Sequence, residues 1–98
     1  MKKIKIEDFK MIDETEVLTI FAYETIIRTG FEHSFYIIIN TITNEITFKV
    51  YITNTDNNQI IWSDVLDNTT LSMCVKYANV FIPETDVKPN HVSDCVLF

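Results

Sequence analysis

Glycine is nearly absent: the 98 residues include one, Gly30, alongside two prolines, two cysteines and one tryptophan. A single glycine cannot build a glycine-rich phosphate cradle, so nucleotide loops of that kind are excluded. Two cysteines, Cys74 and Cys95, are too few for a disulfide framework, although one bridge is allowed. No Cys-x-x-Cys pair is present. A four-ligand site would have to draw His91 and Cys95 together with Cys74 and His33 from distant elements, and no metal is expected. The loop Asn54-Thr55-Asp56-Asn57-Asn58 imitates the start of a calcium loop. Gln59 and Val65 then occupy the places where glycine and glutamate are needed, so it reads as a turn. Long apolar runs are missing too. After Met1-Lys2-Lys3 the chain continues Ile-Lys-Ile-Glu-Asp, unlike a signal peptide, and no stretch approaches a membrane span. The expectation is a cytoplasmic protein, in the host cytoplasm if it is viral.

Basic residues are scarce after the first ten positions. Residues 1–10 hold Lys2, Lys3, Lys5 and Lys10 against Glu7 and Asp8, a balance of +2. The rest holds Arg28, Lys49, Lys76 and Lys88 against 12 acidic side chains, a balance of −8 and a total of −6. Such a field disfavours direct nucleic-acid binding and favours basic protein partners, although many soluble domains carry similar charge simply to stay dispersed. No activated nucleophile, base or carboxylate pair stands out by its spacing, and the chain is read as non-enzymatic and without a cofactor.

What is abundant is β-branched. Fifteen isoleucines stand against four leucines, and threonines number 12, a composition that packs well on pleated sheets. Residues Phe35 to Ile52 form the clearest element. Ile46, Phe48, Val50 and Ile52 alternate with Thr47, Lys49 and Tyr51, the two-residue period of a strand with one wet face. Before them, Phe35, Ile37 and Ile39 point one way and Tyr36 and Ile38 the other, so this strand is apolar on both sides and central. Thr41 to Asn44 joins the two as a hairpin, with Asn44 the candidate for a left-handed backbone.

Around this hub the pattern predicts a short strand over Lys2 to Ile6. A strand pair or one long strand is expected over Val17 to Arg28, turning through Thr29 to Ser34. Asp13, Glu16, Arg28 and Gly30 supply helix punctuation, so a helix over 13–30 is the alternative. Gln59 to Trp62 reads as a short strand. Leu71, Cys74, Val75 and Ala78, followed by Phe81 or Ile82, repeat at helical spacing after possible N-caps at Asn68 to Thr70, and Pro83 stops the helix. The expected architecture is a single α+β domain over 1–98. It is an antiparallel meander of four to five strands, with one amphipathic helix at about 70–82 packed on one face and residues 83–98 as an extended tail.

Function is read from surface chemistry. In overall character the chain resembles small acidic inhibitors made by viruses and mobile elements, without any family motif. It is expected to bind another protein by occupying a basic, nucleic-acid-binding surface, as in evasion of host defence. The expected contact residues are Asp56, Trp62, Asp64, Asp67, Glu84 and Asp86. As a lone tryptophan, Trp62 also fits a core. The alternative is a structural or assembly subunit. It would form a homo-oligomer through the Tyr36/Ile38/Tyr51 face or by strand addition at a sheet edge. The terminal Cys95-Val96-Leu97-Phe98 has the form of a prenylation box, but Lys88 is the sole cation in the stretch before it, so no membrane partner is expected.

Overall fold

The computed structural model describes residues 2–83. Five strands run in chain order: β1 (Lys10–Glu14), β2 (Leu18–Arg28), β3 (Phe31–Asn40), β4 (Ile46–Asn54) and β5 (Gln59–Thr69). They form one antiparallel sheet in the order β1-β2-β3-β4-β5, and a helix, α1 (Leu71–Val80), follows the last strand. This is the α+β meander that the hydropathy pattern calls for, with β3 at its centre.

The β3–β4 pair has the predicted alternation. Phe35 stands opposite Val50 and Ile37 opposite Phe48. All four are fully buried beneath α1, which contributes Cys74 and Ala78 to the same core. Asn44 takes a φ of 63° in the connecting turn. The Asn40 side-chain oxygen accepts from the backbone N–H groups of Ile42 and Thr43 at 2.9 and 3.0 Å, which is how the turn closes without glycine. Gly30 does its one conformational task between β2 and β3, at φ +91°, where a side chain would strain the backbone.

Four sequence expectations need correction. Lys2 to Ile6 is not a strand: the chain is irregular there and enters a 3-10 turn over Ile6–Asp8. Ile4 is nonetheless buried, because the Asn79 side chain both accepts from its N–H and donates to its carbonyl, each at 2.8 Å. An α1 amide thus supplies the pairing that a neighbouring strand would have given.

The strand expected over Val17 to Arg28 is present as β2 and the helix alternative is not; what changes is the turn after it. Thr15 closes the β1–β2 turn by accepting from Val17 and Leu18 through its hydroxyl. β2 then runs unbroken, and β3 starts at Phe31 with no longer turn through Ser34. β-branched residues outweigh the helix punctuation once β3 provides a ladder.

β5 does not stop at Trp62 but continues to Thr69. Its second half is polar, which an edge strand tolerates because its side chains and outer backbone face water. Finally, Leu71 belongs to the helical stripe by spacing but is exposed. Thr70 caps α1 by accepting from the Met73 N–H at 3.2 Å, so Leu71 lies in the first turn, beyond the sheet.

Candidate functional site

The register sorts every strand residue onto one of two faces, because cross-strand partners share a side. On the covered face Thr25, Tyr23 and Phe21 of β2 stand beside His33, Phe35 and Ile37 of β3. Next to these come Ile52, Val50 and Phe48 of β4, and then Trp62, Asp64 and Leu66 of β5. On the opposite, open face the central rows are Ile20–Ile38–Thr47, Ala22–Tyr36–Lys49 and Glu24–Ser34–Tyr51. β5 extends these rows with Val65 and Ser63, and Ile60 stands opposite Thr53. Nothing in the described residues lies over this face. Its centre is a shallow concavity of about 380 Å³ bounded by Ile12, Ile20, Tyr36, Ile38, Tyr51 and Ile60. Tyr36 and Tyr51 meet edge to face at 5.8 Å. Burial first, and then the nearby Glu24 carboxylate, raise the Tyr36 hydroxyl pKa above the ordinary phenol value.

The acidic contact set does not converge. Asp56 lies in the β4–β5 turn, whereas Asp64 and Asp67 lie on β5. Asp64 and Asp67 also point to opposite faces, since Asp64 sits across from Val50 on the covered side and alternation turns Asp67 away from Leu66. Asp64 is committed internally: it accepts a short hydrogen bond from the Tyr77 hydroxyl of α1. That bond, then burial, pushes the Tyr77 pKa up to about 12. Trp62 is neither core nor a free anchor. It is 42 % exposed and leans edge-on against Phe81 at 5.7 Å, closing one margin of the covered face. Glu84 and Asp86 lie outside the described residues, as do His91 and the Cys95-to-Phe98 box.

Groups that chemistry could use are placed for packing. Burial pushes the Cys74 thiol up to about 11, far from a reactive thiolate at neutral pH. His33 is 6 % exposed between Phe35 and Phe81, and its Nδ1 has no hydrogen-bond partner among the described residues. Burial, with the Arg28 charge as a lesser cause, lowers its pKa. Among the described residues no three His, Cys, Asp or Glu side chains gather as metal ligands. No described helix is long and apolar enough to cross a membrane.

Tyr36, Ile38 and Tyr51 were legible in the sequence as a second apolar face. Ile12, Ile60 and Val65 were not, since which way each points depends on bulges in the β1–β2 and β4–β5 pairings, and Ile20 was not because residues 13–30 fit helix and strand alike until the β2–β3 register fixes its side. Compared with protein-family models, curated proteins and solved structures, the chain matches none.

Proposed function

We propose that this protein works by contact, using the open face of its sheet as a binding surface. The observation that carries the reading is the row pattern itself. A five-stranded sheet is covered by a helix on one side and presents isoleucine, valine and tyrosine on the other. Contiguous apolar surface left exposed on a folded protein marks interaction sites. A tagged chain is expected to retain a partner, another copy or a different protein, from the cells that make it. Retention should be insensitive to salt and lost on Ile38→Glu. Retention that persists in this variant rejects the reading.

A second reading assigns the contact to charge: the acidic surface would occupy a basic, nucleic-acid-binding surface of another protein. The net charge of −6 and the exposed Asp56 and Asp67 favour it. It predicts retention that falls steeply with salt and with Asp56→Lys plus Asp67→Lys, while Ile38→Glu has no effect.

A further inference from the structure

We infer that the occupant of the open face is a second copy of this chain, packed sheet on sheet as a two-fold dimer. This rests on reading that face as the working surface, and adds what covers it. Size is the first support. β2 to β5 span 9 to 11 residues each. At ~3.3 Å per residue and ~4.8 Å between strands, the sheet offers roughly 700 Å², close to the ~800 Å² that each partner buries in a standard interface.

Charge is the second support. The chain as a whole is strongly acidic, and this face gathers two of its few cations: Lys10 and Lys49 stand against Glu24 and Glu32, with Asp13 at the β1 margin and Asp67 at the β5 margin. A basic partner would meet two lysines here, whereas a copy of the face offers carboxylates to both of them.

The arrangement of these charges is the third support. A two-fold axis along β3 lays β2 of one copy over β4 of the other. Tyr36 and Ile38 then pack against their own counterparts in the aligned geometry of a sandwich. Glu24 shares a row with Tyr51 and Ala22 one with Lys49, so the superposition lays Glu24 of β2 over the other copy's Tyr51, one row from its Lys49 on β4. Two repulsive contacts remain: Glu32, on β3, falls beside its own copy near the axis, and Asp13 of one β1 falls over the Asp67 end of the other copy's β5.

Sedimentation of the full chain over a wide concentration range tests this. The expected result is a monomer–dimer equilibrium, weakened more than about tenfold by Ile38→Glu with the circular dichroism unchanged. Ile60→Lys, at a position 59 % exposed and safe for folding, should weaken it in the same direction. Glu32→Gln should tighten it, the opposite of what a basic partner would give. A monomer at every concentration overturns the inference, as does a dimer indifferent to both Ile38→Glu and Ile60→Lys, or one loosened by Glu32→Gln. A monomer whose Tyr36 and Tyr51 resist hydroxyl-radical oxidation also overturns it and assigns the cover to residues 84–98. If the chain is monomeric yet retains a different protein that Ile38→Glu releases, the dimer alone fails. If nothing is retained, the contact reading fails with it.

Discussion

The two faces of this sheet are built from the same few residue types and have different fates. On the covered side Phe35, Ile37, Phe48 and Val50 are fully buried, and a chain of aromatic contacts runs from Phe9 through Tyr23, Phe35 and Phe48 to Tyr77 and Phe81. On the open side Ile20, Tyr36, Ile38 and Tyr51 stay partly exposed, and Ile12, Ile60 and Val65 are exposed. The difference is one helix. An amphipathic stripe of ten residues can roof one side of a central strand, and β3, apolar on both sides, needs two roofs. The covered side therefore holds the buried core of the domain, and the open side keeps its isoleucines and tyrosines partly in water.

That comparison can be broken first on the covered side. Phe48→Ala removes a fully buried ring beneath α1 and should cost about 3–5 kcal/mol in denaturant unfolding, enough to unfold a marginal domain. A loss below about 1 kcal/mol would mean that α1 is not seated on the sheet.

Asn79→Ala strips Ile4 of both backbone partners and should cost about 1–3 kcal/mol, with faster proteolysis near the N-terminus. If stability is unchanged, the N-terminal segment is not docked on α1.

Thr70→Ala removes the cap of α1 and should cost about 1 kcal/mol, while Thr70→Asp should retain stability.

Acid acts on the same side through His33. Its folded pKa lies below the ordinary 6.5, so the unfolded chain binds the proton more readily. The stability His33 contributes is complete above about pH 6.5 and is lost as pH falls toward the folded value. Thermal melts should show a midpoint that declines below that pH, with the decline flattened in His33→Leu. An equal decline in the variant would place the effect elsewhere.

The smallest effect should come from the open side. Ile60→Thr, measured where the chain is dilute, should change stability by no more than about 0.5 kcal/mol, since this residue covers little. A cost comparable to that of Phe48→Ala would show that the open side is roofed within the monomer.

How much was legible in the sequence follows from how local each signal is. The alternation in 46–52 fixed which side of β4 faces the core, and helical spacing placed Cys74 and Ala78 in it. Asn44 was readable as the left-handed turn residue because few other side chains tolerate that backbone. By contrast, Lys2 to Ile6 alternates like a strand and is not one, because alternation cannot say whether a neighbouring strand exists to pair with. The carboxylates Asp56, Asp64 and Asp67 are near one another in the chain and separate in space, one at a turn and two on opposite faces of β5. Sequence proximity says little about convergence on a strand, where each step moves about 3.3 Å and reverses the side chain.

By itself, then, the sequence determined that strands would dominate, that β3 would be central, that one helix would follow the sheet, and that the surface would be acidic. These depend on side-chain periods and charge counts that need no partner. The tertiary structure decided which side the helix roofs in full, how far β5 extends, that Asn79 ties down the N-terminus, and which isoleucines remain in water. Those outcomes depend on register, bulges and hydrogen bonds between residues as far apart as Ile4 and Asn79, and no local pattern encodes them.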